Sequence, residues 1–188
     1  MRLLLLVLLA VLPAVVLPGC KVAPKADDRA AFVQESREGL TYFESNVPGL
    51  KKQIAASAGY AVFPGAGQWG IIFTGGTFGR GAVFTADGTQ VGWAAVNNFN
   101  VGLQAGGQGK KILIVFETKD VLQKFEDGLL TGSAQGTAVA GSSASNATAP
   151  FQNGMAVYIG AEKGLMAGGM IGMENFRYRA LGKEDQKK

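Results

Sequence analysis

The chain has no histidine and a single cysteine in 188 residues. The first absence removes the commonest general base and metal ligand, and the second rules out a disulfide within the chain. Any serine or cysteine hydrolase built on an imidazole is excluded, and a zinc site would have to do without its usual nitrogen and sulfur donors. Charged residues are scarce at 17%, and the formal charge is only +4. That balance is too weak for a nucleic-acid surface but permits anionic lipid headgroups. Proline is also sparse, at 6 residues, whereas glycine is plentiful at 28 and lacks the strict period of collagen. Hydrophobic residues at 47% supply a core over most of the length, so disorder is excluded as a general state.

The one long apolar run is Leu3 to Leu17, preceded by Arg2 and interrupted by Pro13. It is too short for a spanning helix, which needs about 20 residues, and has the length of a signal-peptide core. The run closes with Leu17, Pro18, Gly19 and Cys20, an order that resembles the lipobox of bacterial lipoproteins. The resemblance implies cleavage after residue 19 and acylation of Cys20, the lipid attachment site. Three acyl chains hold a protein far more firmly than the one chain that binds only marginally. Lys21, where inner-membrane lipoproteins carry aspartate, implies the outer membrane facing the periplasm. Residues 20–27 are expected to be the lipidated cysteine and its tether, Lys21 to Asp27 reaching about 23 Å at about 3.3 Å per residue.

The remaining length, about 165 residues, suits one domain over 28–182 with a charged, frayed tail at 183–188. Phe32, Leu40, Phe43 and Val47 lie near helical spacing and predict an amphipathic helix from Asp28 to Val47. Pro48 is expected to open a second helix through Ala58, stopped by Gly59. Beyond it, Tyr60–Phe63, Ile71–Thr74, Ala82–Thr85, Val91–Val96, Phe99–Ala105 and Ile112–Phe116 read as short strands, with turns at the glycine clusters and at Asp87-Gly88. Thr118 is expected to cap a helix with a Val121, Phe125, Leu129 stripe, ending at Gly132. A weak strand near Thr137–Ala140 and a hairpin of Met155–Ala161 with Leu165–Met173 complete the reading. The fold class is α+β: N-terminal helices on a curved, mainly antiparallel sheet, and one helix after the central strands.

Motifs that suggest chemistry fail on context. Gly65-Ala66-Gly67-Gln68-Trp69-Gly70 fits a dinucleotide fingerprint, but that signature must open a helix, and Ile71-Ile72-Phe73-Thr74 opposes one. Gly109-Lys110-Lys111 lacks both the first glycine and the hydroxyl of a phosphate loop. Gly160, Gly164, Gly168 and Gly172 have a zipper spacing, but Glu162 and Lys163 lie inside it. Ser142, Ser143 and Ser145 have no histidine to activate them. No enzyme, cofactor or metal is expected. The candidate headgroup contacts are basic: Lys51 with Lys52, Arg80, Lys110 with Lys111, and Arg177 with Arg179. Each adds about 1 kcal/mol if it reaches an anionic surface, and otherwise is ordinary solvated charge.

Four separated pieces, in order, resemble the SYLF domain. They are Ala58-Gly59-Tyr60-Ala61-Val62-Phe63-Pro64, Gly75-Gly76-Thr77-Phe78-Gly79-Arg80-Gly81, Val101-Gly102-Leu103-Gln104-Ala105-Gly106-Gly107-Gln108 and Lys163-Gly164-Leu165-Met166-Ala167-Gly168. The resemblance covers about two thirds of the chain and implies phospholipid binding, phosphoinositide binding in some members, with actin binding confined to eukaryotic relatives. The chain departs from the family in two places. Asp27 to Val47 carries five acids against Arg29 and Arg37, where eukaryotic members have a basic segment, and Val91-Gly92-Trp93-Ala94-Ala95-Val96 replaces a proline-containing middle. The expected function is non-catalytic lipid binding at the bacterial envelope, with membrane phospholipids, anionic ones included, as partners. The alternative is a structural or interaction lipoprotein that meets another envelope protein and touches lipid only through its own anchor.

Overall fold

The computed structural model describes residues 22–105, 108–130, 148–161, 164–166, 176–182 and 185, with side chains omitted for 67–77, 98–110, 161 and 164–166. Cys20, the signal segment and the expected strand at 137–140 lie outside these residues. Helix α1 is Arg29–Asn46, α2 is Leu50–Ala55 and α3 is Lys119–Glu126. The strands are β1 Gly59–Thr85, β2 Gln90–Ala105, β3 Gln108–Phe116, β4 Met155–Ala161, β5 Gly164–Met166 and β6 Phe176–Ala180. They form one open antiparallel sheet in the order β5-β4-β3-β1-β2-β6, so the fold is α+β as expected.

The sheet carries a core on each face, as alternation in its strands requires. On one face Val62, Ala82, Phe84, Trp93, Leu113, Val115 and Tyr158 receive Phe43 of α1 and Leu50 and Ile54 of α2. On the other, Phe63, Val83, Val96, Ile114, Phe116 and Val157 receive Phe125 of α3. There the Phe125 ring lies 4.8 Å from Phe116 and 5.6 Å from Phe176. Helix α1 can lie close because Gly39 faces the sheet, where a Cβ would sit 3.1 Å from Val62 Cγ1. Its buried Ser36 hydroxyl donates to the Phe32 carbonyl at 2.8 Å, so that group is satisfied beneath the helix.

Several boundaries differ from the sequence reading. The three expected strands belong to one long element, so Gly75, Gly76, Gly79 and Gly81 lie within a ladder and not in a turn: β1 pairs with β3 over its first length, 59–68, and with β2 over its second, 71–84. Its two lengths also lie against each other. A Cβ on Gly59 would meet Phe84 O at 2.4 Å, one on Gly81 would meet Val62 O at 2.8 Å, and one on Gly79 would meet Ala66 Cα at 3.0 Å. The glycines therefore serve close backbone approach within the sheet.

Gly49, with φ +86, precedes α2 in place of Pro48, and Gly59 begins a strand where a helix stop was expected. Thr118 caps α3, its hydroxyl accepting from Val121 N at 3.4 Å. Helix α3 ends well before Gly132, at Gly128 with φ +69, which leaves Leu129 65% exposed and outside the stripe. Strand β6 was not foreseen. The segment read as a tether belongs to the folded body from Val22 onward: Ala23 is buried, Val22 packs on the helix-bearing core, and Ala26–Asp28 form a 3-10 turn leading into α1.

A candidate basic surface on the helix-bearing face

Register brings three of the expected basic residues into one cross-strand row. Gly79 and Gly81 face Ala66 and Phe63, so Arg80 points to the opposite face, the one bearing α1. Phe176 packs in the other core, which gives Arg177 that same face. Arg80 pairs with Ala95, and Ala95 with Arg177. On the other side, Phe63 pairs with Ile112 and Ala66 with Lys110, so Lys111 alone faces the two residues Pro64 and Gly65. This is a bulge, and Pro64 suits it because it has no N–H to give to the ladder.

The row across the sheet is thus Lys111, the bulge, Arg80, Ala95 and Arg177. At about 4.8 Å per strand, successive cations are about 10 Å apart. Lys111 reaches back over α1, with Nζ 5.4 Å from the centre of the Tyr42 ring. Arg80 and Arg177 are exposed, and Arg80 makes contacts of its own within the chain.

One rung further toward the glycine-rich end, on the same face as Arg80, Phe78 is 54% exposed. Sequence reasoning did not single it out, although the period-2 alternation of Phe78, Arg80, Ala82 and Phe84 carries the signal. The flank of α1 that carries Tyr42 also carries Glu38 and Glu35 by helical spacing. Glu38 accepts from Gln34 Nε2 at 3.2 Å. Both carboxylates are exposed and share the Tyr42 flank over which Lys111 lies, so they lower the positive potential on that side.

The other basic candidates lie elsewhere. Lys51 is on α2, with Nζ 3.6 Å from Glu44, and Lys52 is exposed on the same short helix. Arg179 shares the face of Arg177, but it is tied to Asp185 at 2.6 Å. Lys110 holds a backbone position in β3 opposite Ala66 and Ala161, and its side chain is outside the described ones. Of the expected basic residues, register thus brings Lys111, Arg80 and Arg177 into one row, with Arg179 on the same face but tied to Asp185 and with Lys51 and Lys52 on α2.

Among the described residues no three metal-ligating side chains gather, and no helix is long and apolar enough to cross a membrane. Residues 65–70, the dinucleotide-like glycine motif, continue as strand within β1 and open no helix. No protein-family model matches the sequence, and no curated protein matches it.

Proposed function

We propose that the chain is a non-catalytic, lipid-binding lipoprotein of SYLF type, acylated at Cys20 and held at the bacterial outer membrane facing the periplasm. The observation that carries this reading is the row of Lys111, Arg80 and Arg177 with the exposed Phe78 beyond it. An aromatic ring at the tip of a basic surface suits an interface in which the ring enters the headgroup region and the cations meet phosphates. Three cations at about 1 kcal/mol each set an upper bound of about 3 kcal/mol, reduced by Glu35 and Glu38 and by salt.

The test is flotation of the Cys20→Ala protein lacking residues 1 to 19 with phosphatidylcholine vesicles, with and without phosphatidylglycerol. Binding is expected to require the anionic lipid and low salt. Replacing Arg80 and Arg177 by Ala is expected to weaken it about 30-fold, corresponding to about 2 kcal/mol. Glu35→Gln with Glu38→Gln is expected to strengthen it. No binding to anionic vesicles at low salt overturns the proposal. It would leave the second reading, a structural envelope lipoprotein that meets another protein, which the outer strands β5 and β6 of the open sheet favour.

A further inference from the structure

The two ends of the described chain meet beside β6. Asp185 turns back on the body so that its side chain is 1% exposed. Its Oδ1 accepts from Arg179 Nη2 at 2.6 Å, pairs with Arg29 Nη1 at 3.0 Å and accepts from the Trp93 indole Nε1 at 3.1 Å. Its Oδ2 accepts from the Gly182 backbone N–H at 2.7 Å. Burial alone would raise the carboxyl pKa, but the Gly182, Trp93, Arg179 and Arg29 donors outweigh it and hold the group below its ordinary value.

Four donors from three parts of the chain thus converge on one carboxylate. A groove of about 510 Å³ opens alongside, its apolar wall made by Val22, Ala23, Pro24, Ala26 and Tyr178, and the cations Lys25, Arg29 and Arg179 also line it. The volume lies within the ~300–1,000 Å³ of ordinary small-molecule sites, and an apolar cleft with a few converging polar groups is their usual make-up. Two guanidinium groups beside an apolar channel match a molecule with a carboxylate head and a hydrocarbon tail.

We infer that the Arg29, Arg179 and Trp93 cradle is a binding site for a long-chain carboxylate, with Asp185 as its intramolecular stand-in. The ligand head replaces the Asp185 carboxylate and its chain lies in the groove along residues 22–26. Asp185 then acts as a competitor in cis, present at an effective concentration on the order of millimolar, which sets a threshold that free ligand must exceed. The site is separate from the Lys111, Arg80, Arg177 row and stands or falls independently of it.

The test uses the full chain in neutral phosphatidylcholine nanodiscs, labelled with a dodecanoate bearing a photoreactive diazirine on its chain and mapped by peptide mass spectrometry. Label is expected on residues 22–26 and on the peptide holding Tyr178, and it is expected to be competed by dodecanoate but not by dodecanol or acetate. Asp185→Ala is expected to raise labelling at a fixed low probe concentration about tenfold, and Arg179→Ala to remove most of it. Absence of label in the groove of the unaltered chain, or equal competition by dodecanol, overturns the inference, and neither result depends on a variant folding. Equal labelling of a folded Asp185→Ala protein overturns the role given to Asp185.

Discussion

Placing a methyl group on Gly81 tests the doubled course of β1, on which the position of Arg80 depends. An ideal Cβ there would lie 2.8 Å from Val62 O and 2.8 and 2.9 Å from two atoms of the Phe63 ring. Real Cβ contacts do not come this near, so something must move by several tenths of an ångström. The carbonyl belongs to the sheet backbone and the ring is fully buried against Phe176 at 5.6 Å, so neither yields cheaply. Overpacking of this kind costs about 1–3 kcal/mol, and relief of glycine's backbone entropy returns about 0.5–1 kcal/mol. The expected net loss for Gly81→Ala is about 1–2 kcal/mol, read as a lower urea midpoint at unchanged slope and a Tm lower by about 2–8 °C. Gly65→Ala is the matched control, since a Cβ there meets nothing within 4 Å. It is expected to leave stability the same or slightly higher. If the two variants unfold at the same urea concentration, the two lengths of β1 do not lie against each other, and the row containing Arg80 loses its geometry.

Two further expectations concern stability. Asp185→Asn removes the charge that two guanidinium groups share, with an expected loss of about 1–3 kcal/mol at neutral pH. Because the folded-state pKa of Asp185 is lowered from 3.8, its contribution is present above that value and is lost as pH falls through the lower folded one. Parent and variant unfolding curves should therefore converge in acid, and a gap that widened there would contradict the clasp. Phe43→Ala empties a fully buried site between α1 and the sheet, where the ring contacts Tyr42 at 5.4 Å and Tyr158 at 6.4 Å. The expected cost is about 3–5 kcal/mol by calorimetry or urea, and a cost under about 1 kcal/mol would mean that α1 is not docked there.

The elements governed by local chemistry were legible from sequence. Helix α1 followed from the spacing of its larger apolar residues, and its end from Val47 before Pro48, where the backbone turns extended at φ −121 and ψ 96. The Thr118 cap and the Asp87-Gly88 turn, with Gly88 at φ +85, follow the same local rules. The glycines of β1 misled because a glycine that admits a neighbouring strand looks, in one dimension, like a glycine that makes a turn. Only the approach of Gly59 to Phe84 and of Gly81 to Val62 separates the two cases, and both are contacts across the sheet. The basic candidates met the same obstacle. Adjacency in sequence suggested pairs, whereas alternation sends neighbouring strand residues to opposite faces and lets register assemble Lys111, Arg80 and Arg177 from three strands. Asp185 sits in a stretch with the composition of a frayed tail, and nothing near it announces Arg29 as a partner.

The position of β6 has a consequence for how the protein is made. This strand follows β2 only after β3, α3, β4 and β5, yet it pairs with β2 and brings Phe176 against Phe63 and Phe125. Until residues 176–180 have been made, the outer side of β2 is an unpaired ladder and one core stands open. A chain cut short before residue 176 therefore carries an exposed template for self-association. Premature termination or C-terminal proteolysis should accordingly yield aggregates or degradation products, with little of a smaller native species.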